Sequence, residues 1–170
     1  MSRAVLSIGS NLGDRRARLA EVVTALKGDL IAVSPVYQTA PWGPVPQDDY
    51  LNAIVVASRP GLAPAGWLDF VRAAERAAGR VREVRWGPRT LDVDVVQVTD
   101  DRGAVIRSDD PELTLPHPLT HQRGFVLVPW SAIEPDAVLA GYGSVRELVQ
   151  ALPDDERAGV RRRDDLSLER

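Results

Sequence analysis

Residues 91–99 constrain this chain more than any other stretch: Leu91-Asp92-Val93-Asp94-Val95-Val96-Gln97-Val98-Thr99. Its valines and near-alternating pattern predict a buried β-strand, because branched side chains pack well on a pleated surface. Strand geometry sends Asp92 and Asp94 to the same side, about 6 to 7 Å apart at a rise of ~3.3 Å per residue. Val96 and Val98 are expected to continue that face as apolar residues, so the two acids stand at the margin of a core. Two uncompensated carboxylates beside a core are costly. The strand therefore belongs to a sheet with one end opening into a polar site.

The rest of the chain supplies partners for that strand. Residues 4–8 alternate as a strand and run into Gly9-Ser10-Asn11-Leu12-Gly13-Asp14, where turn glycines and capping residues open a helix. Leu19, Val22, Val23 and Leu26 then recur at helical spacing, and Gly28 ends the helix. Residues 30–37 and 51–58 read as strands, separated by the irregular Thr39-Ala40-Pro41-Trp42-Gly43-Pro44-Val45-Pro46. A second helix starts at Pro64, with Trp67, Val71, Ala74 and Ala78 on one face and Gly79 as its stop. After the acidic strand come a short partner at Val105-Ile106, an apolar segment over 125–133 and a final helix over 144–152. The order strand, helix, strand, strand, helix, strand predicts an α/β (α+β) fold: a ferredoxin-like βαββαβ core with a mainly antiparallel sheet and extra C-terminal helices. One domain is expected over residues 1–152. In residues 153–170 eleven of eighteen side chains are charged, six acids and five arginines, which predicts a mobile tail.

Composition narrows the chemistry. The 170 residues carry 21 basic and 24 acidic side chains, a net charge of −3, so there is no global positive field to attract nucleic acid. Cysteine is absent, which excludes disulfides and thiolate catalysis. Lys27 is the only lysine and does not follow a glycine-rich loop, which excludes a P-loop. No apolar run approaches the roughly 18 residues needed to cross a bilayer, and no signal peptide is visible, so a cytoplasmic protein is expected.

Any anion site must be local, and residues 72–89 provide it: Arg72, Arg76, Arg80, Arg82, Arg85 and Arg89 against Glu75 and Glu83. Arg72 and Arg76 are as readily explained by a solvated helix face, whereas Arg80, Arg82, Arg85 and Arg89 flank the acidic strand. The guanidinium fork bonds phosphate oxygens in pairs and stays charged. Carboxylate oxygens suit Mg²⁺, which keeps waters and is completed by substrate phosphates, and ions ~3.5 to 4 Å apart would fit the pair. Tyr50 and Asn52 share a strand face, and Phe125 follows Arg123-Gly124, so two rings can clamp a heterocycle while the carboxamide reads its edge. His117 and His121 are four apart, but Pro116 and Pro118 flank the first, and no zinc-helix pattern follows. His117 is as readily a phosphate donor or proton handler as an ordinary loop histidine.

These residues resemble the 6-hydroxymethyl-7,8-dihydropterin pyrophosphokinase family over about residues 4–135. The most specific stretch is Arg85-Trp86-Gly87-Pro88-Arg89-Thr90-Leu91-Asp92-Val93-Asp94. Gly9-Ser10-Asn11-Leu12, Asp49-Tyr50-Leu51-Asn52, Gly79-Arg80-Val81-Arg82, Pro116-His117 and Arg123-Gly124-Phe125 support it in family order. The resemblance implies transfer of diphosphate from ATP to the pterin alcohol in folate biosynthesis, releasing AMP, with two Mg²⁺ on Asp92 and Asp94. It implies ATP phosphates on Arg80, Arg82, Arg89, His117 and Arg123, and further nucleotide contacts at Glu75, Trp86 and Val95. It also implies a pterin stacked between Tyr50 and Phe125, its edge read by Asn52 and the backbone around Thr39, Ala40 and Trp42. The partners expected are small molecules, with neither nucleic acid nor membrane, and the chain is expected to act as a monomer. Two alternatives use the same residues: an RNA-binding module, against which the acidic pI of about 5.4 argues, and a kinase of another flat heterocycle.

Overall fold

The computed structural model describes residues 2–41, 43–79 and 90–168. In chain order the elements are β1 (Ser2–Ser10), α1 (Arg15–Ala25), β2 (Leu30–Val33), β3 (Tyr37–Thr39), β4 (Tyr50–Arg59), α2 (Pro64–Ala77) and β5 (Asp92–Thr99). There follow β6 (Val105–Ile106), a hairpin of β7 (Ser108–Asp110) and β8 (Leu113–Leu115), a 3₁₀ turn (Thr120–Gln122) and α3 (Gly124–Ile133). A second hairpin, β9 (Val138–Leu139) and β10 (Gly143–Ser144), leads to α4 (Val145–Ala151), α5 (Asp154–Ala158) and β11 (Arg161–Arg162). The main sheet runs β11-β3-β4-β1-β5-β6, with β2 also paired to β4. Every pairing in it is antiparallel, and the core order β3-β4-β1-β5 is that of a βαββαβ sheet. No helix among the described residues is long and apolar enough to cross a membrane.

The helices form where caps and apolar spacing agree. Asp14 accepts a hydrogen bond from the Ala17 N–H at 3.1 Å to cap α1, and Gly28 at φ +95° turns the chain after it. Pro64 sits in the first turn of α2, where its missing N–H is harmless. Leu19, Val22 and Leu26 of the α1 segment and Trp67 and Val71 of α2 cover one sheet face, against Leu6, Ile8, Val93 and Val95. Val126, Leu127 and Trp130 of α3, with Val145 of α4, cover the other, against Val5, Ile54, Val56 and Val96. Each fully buried leucine or valine adds about 1.5 to 3 kcal/mol by leaving water.

Three expectations are corrected. The strand expected over 30–37 is two strands: Ser34 pairs with Ile54 through backbone and hydroxyl, Pro35 has no N–H to continue the ladder, and β3 resumes at Tyr37. Val98 does not continue the Asp face. A register shift opposite Val5 and Leu6 inserts one extra residue near Val96, after which Val98 joins the α1/α2 core. Residues 153–170 were expected to be mobile, but as far as Leu168 they dock on the domain. β11 pairs with the exposed edge of β3, and Leu168 is buried in the core with Leu166 against it. Main-chain pairing and two leucines suffice where charge count suggested detachment, because Arg163 and Asp165 neutralise each other locally at 2.8 Å.

Candidate active site

The sheet face under α3 turns polar at one end, and the register shows why. Gly9 of β1 lies opposite both Asn52 of β4 and Asp92 of β5, and Ser7 lies opposite Ile54 and Asp94. Thr39 of β3 lies opposite Tyr50. Directly paired residues share a face, so Tyr50, Asn52, Asp92 and Asp94 converge on one sheet end. The two aspartates are both half-buried, as the alternation predicted.

Asn52 is 3% exposed and donates from Nδ2 to Thr39 Oγ1 at 2.7 Å, which fixes the carboxamide between β3 and β4. Gly9 is a strand residue, although the sequence placed it in a turn. A Cβ there would lie 2.9 Å from Asn52 Oδ1 and 3.3 Å from Tyr50 Cδ1, so the glycine makes room for both side chains. Asn11, also assigned to the turn, is buried and donates to Gln47 Oε1 at 2.7 Å and the Asp48 carbonyl at 2.8 Å, holding the loop that precedes Tyr50.

Arg123, at the N-cap of α3, links two parts of the site. Its Nη1 is 3.8 Å from Asp94 Oδ2, and its guanidinium carbon lies 5.5 Å from the centroid of the Phe125 ring. His117 is pinned to β5 by its N–H, which donates to the Val96 carbonyl at 2.8 Å, and its Nε2 is 3.8 Å from Asp94 Oδ1. Burial, reinforced by the Arg123 charge and opposed by Asp92, lowers the His117 pKa to about 4. The imidazole is therefore neutral near neutral pH. His121 goes elsewhere, stacking on Tyr142 with centroids 4.0 Å apart.

Two hollows flank these groups. One, of about 550 Å³, runs beside β5 and is lined by Glu75, Asp92, Asp94, Val95 and His117, with Arg72 and Glu112 among its other lining residues. Glu75 is buried and accepts from the Val93 N–H at 3.2 Å, tying α2 to β5, while Arg72 pairs with Glu112 at 3.1 Å between exposed side chains. The other, of about 170 Å³, is lined by Thr39, Ala40, Pro41 and Phe125 together with Asp155, Glu156, Gly159 and Val160. Of the site residues read from the sequence, Trp42, Arg80, Arg82, Arg85, Trp86 and Arg89 lie outside the described residues. Glu75, Asp92, Asp94, Val95, His117 and Arg123 come together, as do Thr39, Ala40 and Phe125 around the smaller hollow, while Tyr50 and Asn52 join Thr39 through strand pairing and the Asn52 hydrogen bond.

A cleft with paired acids, a neutral imidazole and a shared guanidinium beside an aromatic-lined hollow has the character of a group-transfer enzyme for an anionic and a flat substrate. A family model described as 7,8-dihydro-6-hydroxymethylpterin-pyrophosphokinase (HPPK) matches residues 5–135. The Mycobacterium tuberculosis protein named 2-amino-4-hydroxy-6-hydroxymethyldihydropteridine pyrophosphokinase is 48% identical over 162 residues, covering 93% of this chain and 86% of that protein. Proteins of the same name from Mycobacterium leprae and Methylorubrum extorquens are 48% identical over 169 residues and 44% identical over 156. They cover 95% and 89% of this chain, and 88% and 94% of their own lengths. The crystal structure of Plasmodium falciparum HPPK-DHPS wild type with SDX-DHP matches with a TM-score of 0.61 at 15% identity, covering 87% of this chain and 43% of that one. This last likeness carries the fold alone.

The chain belongs to the 7,8-dihydro-6-hydroxymethylpterin-pyrophosphokinase family. It is accordingly a pyrophosphokinase that moves diphosphate from ATP to hydroxymethyldihydropterin in folate biosynthesis.

Proposed function

We propose that the two hollows hold the two substrates of this transfer: ATP beside β5 and the pterin beside Phe125, with Arg123 between them. The carrying observation is that one guanidinium stands 3.8 Å from Asp94 and 5.5 Å from the Phe125 ring, so the phosphate and heterocycle positions share a cation.

The donor set fits a hard cation. Among the described residues no group of three or more His, Asp or Glu side chains could form a closed metal cage, and Asp92 and Asp94 offer oxygen ligands only. Such an open pair suits Mg²⁺, whose remaining positions go to water and substrate phosphates. Asp92 and Asp94 would hold two Mg²⁺, which when bound neutralise charge on the transferring phosphates. Arg80, Arg82, Arg89, Arg123 and His117 grip the phosphate oxygens, His117 as a neutral donor that adds no charge of its own. Glu75, Trp86 and Val95 contact the nucleotide. Tyr50 and Phe125 sandwich the pterin, and Asn52, Thr39, Ala40 and Trp42 read its edge.

In the transfer the hydroxymethyl oxygen releases its proton to water and forms a bond to the β-phosphorus of ATP in line with the breaking bond to the α-phosphate oxygen, and AMP departs with that electron pair. The protein forms no covalent bond. Its residues supply orientation and charge complementarity, which account for most of the acceleration in such transfers. The enzyme works as a cytoplasmic monomer on small molecules, without nucleic acid or membrane as partner.

The test is the nucleotide product. With ATP, Mg²⁺ and 6-hydroxymethyl-7,8-dihydropterin, chromatography is expected to show AMP and pterin diphosphate in equal amounts, and loss of both on chelation. ADP as the product, or turnover without a divalent ion, would overturn the reading.

A further inference from the structure

The segment after α4 has no part in the assignments above, and the family match ends at residue 135. It nevertheless walls the hollow proposed for the pterin. Asp155, Glu156, Gly159 and Val160 line it together with Thr39, Ala40, Pro41 and Phe125. Glu156 also touches the helix that carries the ring, because its Oε1 accepts the Gly124 N–H at 3.1 Å. Gly124 lies tightly against this segment: a Cβ there would stand 3.0 Å from Val160 Cγ2 and 3.3 Å from the Glu156 carbonyl.

Both ends of the segment are fastened. Arg157 Nη1 donates to the carbonyls of Val149 and Gln150 at 3.3 and 3.1 Å, closing the end of α4. Beyond Val160, Arg161 and Arg162 lie opposite Gln38 and Tyr37 of β3, and Arg163 Nη1 donates to Gln38 Oε1 at 2.6 Å. Leu168 closes the strap in the core. The strap therefore joins the first turn of α3 to β3, the two elements that present Phe125 and Thr39.

We infer that residues 154–163 form a positioning strap for the pterin subsite, with Glu156 as its positioning residue. This rests on the substrate placement proposed above. The first N–H groups of a helix have no intrahelical acceptor, and a carboxylate bonded to one of them holds the turn by charge as well as by hydrogen bonding. Phe125 lies one residue beyond the bonded N–H. Fixing that turn orders the ring before the pterin arrives, so binding need not bear the entropy cost of ordering it. Glu156 itself touches no reacting atom.

The test measures pterin binding by calorimetry, and both Michaelis constants, for the unvaried chain, Glu156→Ala, Glu156→Gln and Val160→Ala. Glu156→Ala is expected to raise the pterin Kd and KM about tenfold, the scale of one charge-assisted hydrogen bond, while the ATP KM stays within about twofold. Glu156→Gln keeps an acceptor oxygen and should restore pterin affinity to within about threefold of the unvaried chain. Val160→Ala, which leaves the hydrogen bond in place, should give a smaller rise and carries the test if Glu156→Ala fails to fold. An unchanged pterin constant in Glu156→Ala and Val160→Ala overturns the inference, as does an equal rise in both substrates' constants. If the unvaried chain binds no pterin, the substrate placement itself falls, and this inference with it.

Discussion

Gly9→Ala isolates one contact of the site. Gly9 lies in β1 and its φ is not positive, so the backbone accepts alanine and the perturbation is the added methyl alone. That methyl would stand 2.9 Å from Asn52 Oδ1, closer than side-chain contacts normally come, and 3.3 Å from Tyr50 Cδ1. Asn52 cannot step aside freely, because it is buried and its Nδ2 is committed to Thr39 Oγ1 at 2.7 Å. Overpacking of this kind costs about 1 to 3 kcal/mol, and turning the carboxamide off Thr39 costs about 1 kcal/mol more. Melting should therefore fall by about 4 to 16 °C for a chain of this size. Pterin binding should weaken about tenfold, since about 1.4 kcal/mol corresponds to one misplaced hydrogen-bonding edge. The ATP constant should hardly move, because Asp92 is not among the nearest atoms to the new methyl. Calorimetric titration with pterin and with ATP reads both. Unchanged pterin affinity, or an equal loss for both ligands, would refute the placement of Asn52 and Tyr50.

In the enzyme free of metal and nucleotide, the His117 ring is expected to titrate near pH 4 by NMR. The unfolded chain takes up that proton first, near 6.5, so stability should rise with pH between about 4 and 6.5, by at most about 3 kcal/mol. A midpoint near 6.5 would show that burial and Arg123 do not act on the ring as described. Arg123→Lys keeps a charge near Asp94 but loses the planar group over Phe125, and should raise the constants for both substrates by about five- to tenfold. A change confined to ATP would remove Arg123 from its bridging place.

What could be read in the sequence depended on whether the signal was local. Asp92 and Asp94 were placed correctly because alternation along one strand decides a side chain's face. Tyr50 and Asn52 followed for the same reason. The bulge near Val96 was not legible, because it arises from the register against Val5 and Leu6 and leaves no mark in β5 itself. Gly9 was taken for a turn residue, and only the close approach of Asn52 and Tyr50 reveals why a strand carries it there. The docking of β11 was hidden by charge count, since main-chain pairing to β3 needs no apolar side chain. Arg80, Arg82 and Arg89 rest on the local charge balance and the family resemblance.

Diphosphate transfer turns on the carboxylates of β5 as holders of the cation-bound nucleotide. Asp94→Ala measures this most directly, scored by Mg²⁺-dependent AMP formation alongside the melting temperature. Turnover should fall more than about a hundredfold, as expected when a metal ligand is removed, with the fold retained because Asp94 lies at the half-exposed end of the sheet face. Turnover near that of the unvaried enzyme would contradict it.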